Sequence, residues 1–247
     1  PLRNTRVPLG TTFASFAEIT VGTPAMTVGI DGMPIVAFFV DTGLGPDSLR
    51  TKRCAIISCG NLETTFTVTN DATDPASQAA ISIGKDGLPI ISYRANDPGP
   101  DESRLGIVHC GHISCDPAKG NDITYVSAGS GEFGYQSSIT INTNGFPIIS
   151  AADDQQLFLI HCSNEICSNS SVTSMLTQNP VDKFSSIAIG IDGWPIIAVN
   201  TTNILAPIEV LHCTASDCTA EIDVNVIESG ASGVSLGSRV KLSIGLD

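Results

Sequence analysis

Ile30-Asp31-Gly32-Met33-Pro34-Ile35 returns along the chain as Lys85-Asp86-Gly87-Leu88-Pro89-Ile90, Thr143-Asn144-Gly145-Phe146-Pro147-Ile148 and Ile191-Asp192-Gly193-Trp194-Pro195-Ile196. The four glycines stand 55, 58 and 48 residues apart, a spacing in the range of propeller and solenoid repeats. Asp-Gly or Asn-Gly between two apolar runs is a hairpin signal, read here as a type I′ turn whose central residues need positive φ. The segments on either side therefore pair antiparallel.

Each copy continues in the same order, most clearly in the second. Ala80–Gly84 (strand A), the turn and Pro89–Tyr93 (B) are followed by a polar loop, Leu105–Cys110 (C) and Ile123–Val126 (D). Strand B is apolar without alternation, as in Pro195-Ile196-Ile197-Ala198-Val199, which implies cover on both faces. A β-sandwich needs no identical turns, and hexapeptide or leucine-rich solenoids have shorter periods. The expected fold is an all-β propeller of four-stranded antiparallel blades.

The repeats centred on Gly32, Gly87, Gly145 and Gly193 are joined by a truncated fifth at Gly245, within Leu242–Asp247. Ala17-Glu18-Ile19-Thr20-Val21 matches Ala220-Glu221-Ile222-Asp223-Val224, a strand D. The expectation is one domain, 1–247, of about five blades, one of them split between the termini so that no strand edge is left open.

Eight cysteines fall as Cys54/Cys59, Cys110/Cys115, Cys162/Cys167 and Cys213/Cys218, one C-x4-C pair per repeat at the end of strand C. Each can staple a tight C–D loop, which predicts four local disulfides and an extracellular or cell-surface location. Zinc is the rival reading of His109-Cys110, His161-Cys162 and His212-Cys213. The spacing is not that of a zinc ribbon, the first copy has Arg53 in place of His, and neighbouring strand residues face opposite ways. No metal is expected there, and the histidines are read as packing between blades.

The chain is 42% hydrophobic and 15% charged, with mean hydropathy +0.20, so it can bury a core. A net charge of -13 argues against nucleic acid and anionic membrane surfaces. No apolar run approaches the roughly 18 residues of a membrane span.

The pattern S-I-A-I-G-x-D-G-x-P-I-I-S-Y, then L-x-x-x-H-C-x4-C, resembles repeats of secreted bacterial β-propeller proteins over Phe16 to Asp247. The resemblance implies the propeller architecture and carries no catalytic residues.

Antiparallel order puts A–B turns and disulfide loops at one end of the blades, and B–C and D–A loops at the other. The B–C loops diverge most, so that end is the expected binding side. Asp41, Asp47, Asp97, Asp101, Glu102, Asp153, Asp154 and Asn200 offer oxygen ligands for a glycan, a protein surface or Ca²⁺, although no calcium-loop motif is present and no cofactor is otherwise expected. Asn169-Ser170-Ser171 and Asn200-Thr201-Thr202 are sequons. The apolar residue of each turn, Met33, Leu88, Phe146 or Trp194, packs on a blade or forms a contact ring.

Three of four histidines sit in repeated strand C positions, which leaves no base for a Ser/His/Asp triad, and nothing singles out two of the acids as a glycosidase pair. The sequence expectation is thus a secreted, non-catalytic binding or adhesion module. The alternative is a structural subunit that self-associates into a polymer through the split blade. A glycosidase-like propeller enzyme ranks third.

Overall fold

The computed structural model describes residues 19–41, 47–61, 63–72, 78–96, 103–128, 132–153, 155–203, 205, 207–219, 222–228 and 240–245. They form antiparallel strands in four units of identical order. Blade 1 is β1 (Ile19–Val28), β2 (Pro34–Asp41), β3 (Asp47–Arg53) and β4 (Phe66–Ala72). Blade 2 is β5 (Ala80–Ile83), β6 (Pro89–Asn96), β7 (Ser103–His109) and β8 (Asp122–Val126). Blade 3 is β9 (Tyr135–Ile141), β10 (Pro147–Ala152), β11 (Leu157–Cys162) and β12 (Ser170–Met175). Blade 4 is β13 (Val181–Ile189), β14 (Pro195–Thr201), β15 (Ile208–Cys213) and β16 (Ile222–Glu228). The A strands of successive blades approach one another and the D strands do not, so A is the inner strand of each blade.

Burial explains the unalternating B strands. β10 is buried at every residue and β6 at all but its last, because a blade packs against each flank. Each interface between described blades has its own apolar core. Phe39, Leu49 and Val68 of blade 1 meet Ile91, Tyr93 and Val108 of blade 2. Ile90, Leu105 and Ile107 of blade 2 meet Ile139, Ile149 and Ile160 of blade 3. Ile148, Leu157 and Leu159 of blade 3 meet Ile187, Ile197 and Leu211 of blade 4. Each such side chain contributes about 1.5–3 kcal/mol on burial, so the repeat is held together laterally. Polar pairs add to this: Ser92 Oγ meets Ser137 Oγ at 2.9 Å and Ser150 Oγ meets Ser185 Oγ at 2.8 Å.

The A–B turn is not type I′. Among the turn residues positive φ occurs at Gly32, Gly87, Gly145 and Gly193 and not at the Asp or Asn before them. The Gly32 N–H donates to the Gly29 carbonyl and the Gly29 N–H to the Met33 carbonyl, a three-residue loop ending in a left-handed glycine. Asp or Asn suits this position because its side-chain oxygen accepts the N–H two residues on: Met33 N to Asp31 Oδ1 at 3.0 Å, Leu88 N to Asp86 Oδ1 at 3.0 Å, Phe146 N to Asn144 Oδ1 at 2.9 Å and Trp194 N to Asp192 Oδ1 at 3.1 Å. The turn's apolar residue is half-buried in Met33, Leu88 and Phe146 and exposed in Trp194.

All four cysteine pairs are disulfides: Cys54–Cys59, Cys110–Cys115, Cys162–Cys167 and Cys213–Cys218, with Cα–Cα separations of 4.9, 4.8, 4.8 and 5.0 Å. The stapled loop is not a plain hairpin connection, because the second cysteine of every pair takes left-handed backbone, with φ 51 at Cys59, 58 at Cys115, 53 at Cys167 and 53 at Cys218. The N–H of each closes a tight turn on the carbonyl three residues back: Cys59 on Ile56 at 2.9 Å, Cys115 on His112 at 2.8 Å, Cys167 on Asn164 at 3.2 Å and Cys218 on Ala215 at 3.2 Å. Left-handed backbone is costly for a residue with a Cβ, and the covalent link together with this turn holds the cysteine there.

The residue before the first cysteine ties strand C to its own turn. His109 Nε2 lies 2.9 Å from Asp86 Oδ2, His212 Nε2 lies 2.8 Å from Asp192 Oδ2, and Arg53 pairs with Asp31. Where Asn144 replaces the acid, His161 instead meets Asn142 at 3.1 Å.

Ile19–Val21 is not a strand D. It pairs with Phe39–Asp41 as the outer part of β1, past a bulge between Val21 and Ala25. The match to 220–224 arises because both segments alternate polar and apolar residues. Ala17, Glu18 and Leu246–Asp247 lie outside the described residues. Residues 240–245 carry no strand pairing, and the Leu242 N–H donates to Ser186 Oγ of β13 at 3.0 Å.

Candidate functional site

The B strands end at Asp41, Asn96, Ala152 and Thr201, opposite the disulfides, where the A strands begin. Those A strands are bulged there. Register shifts at Val21/Ala25, opposite Ser150/Ala152 and at Val181/Ser185 coincide with positive φ at Gly22 (75), Gln136 (39) and Lys183 (55). A bulge re-aims side chains locally, and here Lys183 reaches the Tyr135 ring.

Arg94 organises the middle of this end. Its Nη2 lies 3.1 Å from Glu132 Oε1, its Nε donates to Ser103 Oγ at 2.9 Å, and its guanidinium carbon sits 3.8 Å from the centre of the Tyr135 ring. Lys183 Nζ lies 4.0 Å from the same ring. Ser103 Oγ accepts from the Phe133 N–H at 3.0 Å, which holds the segment carrying Glu132. Arg94 is buried, whereas the Glu132 side chain keeps 41% of its surface exposed. A planar guanidinium stacked on a ring and bonded on its edge has one orientation, and it passes that orientation to the carboxylate.

On blade 4 a fully buried carboxylate, Glu209, accepts from the Gln178 N–H at 2.9 Å and from Asn179 Nδ2 at 2.6 Å, while Asn203 Nδ2 donates to Asn179 Oδ1 at 2.8 Å. It fastens the loop entering β13 to the loop leaving β14. Between blades 1 and 2, Asp71 accepts from the Tyr93 hydroxyl at 2.9 Å and from the Tyr125 hydroxyl, and Arg104 stacks on Tyr125 at 3.6 Å. Burial, then the Asp71 charge, pushes the Tyr93 phenol far above its ordinary range. Burial and the bond to Asp71 raise Tyr125 as well.

Of the acids and amides singled out in the sequence, Asp41 is half-buried at the end of β2 and Asp47 buried at the start of β3, the two bases of one B–C loop. Asp153 folds back on its own turn, accepting from Gln155 N at 2.8 Å and Gln156 N at 2.6 Å. Asn200 is buried within β14, so Asn169 is the exposed sequon residue of the two. Asp97, Asp101, Glu102 and Asp154 lie outside the described residues. Arg94, Glu132, Tyr135, Lys183 and Glu209 escaped sequence reading. Arg94 alone carried a signal, a cation inside the apolar run Pro89-Ile90-Ile91-Ser92-Tyr93 and its continuation. Among the described residues no group of three or more His, Cys, Asp or Glu is placed to hold a metal ion, and no helix is long and apolar enough to cross a membrane.

No protein-family model and no curated protein sequence matches the chain. Solved structures do. A protein of unknown function from Dyadobacter fermentans superposes with a TM-score of 0.61 at 11% identity, over 83% of this chain and 64% of that one. The Hadza microbial sialidase Hz136 gives 0.53 at 12%, over 84% and 45%, and a glycosyl hydrolase from Bacteroides ovatus gives 0.52 at 12%, over 86% and 71%. The chain thus spans under two thirds of the length of the first two. These likenesses establish an all-β, propeller-like fold. They also correct the expectation of a non-catalytic binding module or polymer subunit, and with it the expectation of no enzymatic activity, because glycoside hydrolases recur among the structures that share this architecture.

Proposed function

We propose that the chain is an extracellular, five-bladed glycosidase-like propeller that binds a glycan at the loop end of its blades and hydrolyses a glycosidic bond there. Glu132 is the carboxylate that carries this reading: it is accessible, sits at the head of an inner strand, and is aimed by a buried arginine. Four disulfides fit the oxidising location.

Glycoside hydrolysis needs one carboxyl to protonate the leaving oxygen and a second to act as nucleophile or to activate water. Glu132 takes the second role. Arg94 pairs with it, Ser103 fixes Arg94, Tyr135 and Lys183 wall the site, and the proton donor is a second carboxyl at this end of the blades, for which Asp41, half-buried at the end of β2, is the described candidate. The experiment is steady-state hydrolysis of a panel of 4-methylumbelliferyl glycosides. Glu132→Gln lowers kcat by about 100-fold or more and leaves the thermal midpoint in place. Retention of wild-type kcat by that variant overturns the assignment.

A further inference from the structure

Four residues before the first cysteine of each disulfide, the B, C and D strands set one residue each side by side. The registers give Phe38, Arg50 and Thr67 in blade 1, Tyr93, Gly106 and Tyr125 in blade 2, Ala151, Phe158 and Ser174 in blade 3, and Val199, Glu209 and Val226 in blade 4. Blade 2 departs from the rest. Its C-strand residue is a glycine, and the Tyr93 ring fills the space to within 2.3 Å of where a Cβ would stand.

Both tyrosines serve one carboxylate of blade 1: Asp71 accepts from the Tyr93 hydroxyl at 2.9 Å and from the Tyr125 hydroxyl. Tyr125 is thereby fixed across the outer flank between the two blades, with 37% of its surface exposed. Arg104 lies two residues before Gly106, on the same face of β7, and its guanidinium carbon stands 3.6 Å from the centre of the Tyr125 ring. Arg104 is half-buried, its Nε is buried with no hydrogen-bond partner, and among the described residues its guanidinium meets no carboxylate. The other described arginines are engaged: Arg50 with Ser48, Arg53 with Asp31 and Glu63, Arg94 with Glu132 and Ser103. An unmet buried donor costs about 1–3 kcal/mol. The other three blades stand without one, with Ser48, Gln156 and Pro207 at the position of Arg104, so packing of the repeat does not call for it.

We propose that the outer flank between blades 1 and 2 is a second glycan-binding site, in which Arg104 takes the carboxylate or sulfate group of an acidic sugar. Stacking on a ring that is itself anchored fixes the plane of the guanidinium and leaves its N–H donors unused, and a planar fork matches an oxyanion bidentately. Ile123, 38% exposed two residues before Tyr125 in β8, joins that ring as apolar surface for the body of the sugar. The flank is separate from Glu132: Ser103, the residue that fixes Arg94, faces the opposite side of β7 from Arg104. With a net charge of -13 the chain repels polyanions in general, so an acidic glycan is held only where a local cation is left to meet it. The inference rests on the glycan-binding part of the proposed function and is independent of hydrolysis.

The test is isothermal titration calorimetry of the purified protein with tetragalacturonate, a sulfated heparin tetrasaccharide, neutral galactotetraose and acetyl-tetraalanine. At least one acidic tetrasaccharide binds, and the one that binds more tightly identifies the group Arg104 meets; galactotetraose and the peptide bind at least tenfold more weakly. Arg104→Gln weakens the acidic sugar by about tenfold or more, and so does Arg104→Lys, which keeps the charge and loses the fork. Glu132→Gln leaves the affinity in place. Absence of binding by both acidic sugars overturns the proposal, as does wild-type affinity in Arg104→Gln or Arg104→Lys. Equal binding of galactotetraose, tighter binding of the peptide, or loss of binding in Glu132→Gln overturns it too, the last because it puts the sugar at the loop end. Binding without glycoside hydrolysis removes the enzymatic reading alone, and hydrolysis without this binding removes the second site alone.

Discussion

Gly106→Ala isolates the packing between blades 1 and 2. Gly106 lies in β7, where a Cβ would stand 2.3 Å from Tyr93 Cε1 and Cζ and 2.8 Å from its hydroxyl oxygen, about 1 Å inside ordinary contact. Gly106 does not have positive φ, so alanine meets no backbone strain, and on entropy alone the change would stabilise a strand by roughly 0.5–1 kcal/mol. Tyr93 cannot yield. Its side chain is fully buried in the core shared by the two blades, and its hydroxyl is bonded to Asp71. Forcing the ring aside costs about 1–3 kcal/mol of overpacking, and breaking a hydrogen bond to a charged acceptor about 1.5–3 more. The net loss is about 2–5 kcal/mol, a fall in Tm of roughly 5–15 °C for a domain of this size. Differential scanning calorimetry of Gly106→Ala, Tyr93→Ala and the double variant reads it, with the double variant less destabilised than the sum. An unchanged or raised Tm in Gly106→Ala refutes the reasoning, because the ring would then have room to move.

The disulfides and turn acids yield two further expectations. Removing Cys110–Cys115 as Ala/Ala lowers stability by about 2 kcal/mol on loop-closure grounds, and Cys110→Ala with Cys115→Gly loses less, because φ 58 at residue 115 suits glycine; thermal melts compare the two. Asp31 and Asp192 are held below the usual carboxylate range first by the N–H of Met33 and Trp194, then by Arg53 and His212, and Asp217 by the N–H of Thr219. Their stabilisation is therefore complete above the unfolded value near 3.8 and is lost as pH falls through their folded values. The Tm gap between wild type and Asp192→Asn is small at pH 6, because the side chain is exposed and Asn keeps the turn bond as Asn144 does, and it closes below about pH 4.

Local chemistry made the fold legible. Asp/Asn-Gly-x-Pro marks a turn because the Asp or Asn oxygen accepts an N–H and Gly takes positive φ, and C-x4-C marks a loop short enough to staple. The spacing of the cysteines carries their pairing but not their backbone: nothing in C-x4-C signals that Cys59, Cys115, Cys167 and Cys218 sit in the left-handed region, where glycine or asparagine is the usual residue. The turn class is ambiguous in sequence because Asp-Gly also serves two-residue hairpins, and only φ at Asp31 and its counterparts separates the two. Ile19–Val21 is misplaced by its composition because a bulge lets β1 run past the length the other repeats suggest. The site was less legible. Arg94 lies in β6, Glu132 in the segment before β9, Tyr135 at the start of β9 and Lys183 in β13, and no spacing in the chain signals that blades 2, 3 and 4 bring them to one ring. The acids that stood out were those in loops, and Asp153 turns out to serve its own turn.

The most direct measurement is chromatography of sugars released when the purified protein is incubated with a panel of polysaccharides and sialylated glycans. The proposed function predicts time-dependent release from at least one of them that Glu132→Gln abolishes. No release from any, or equal release by wild type and Glu132→Gln, contradicts it.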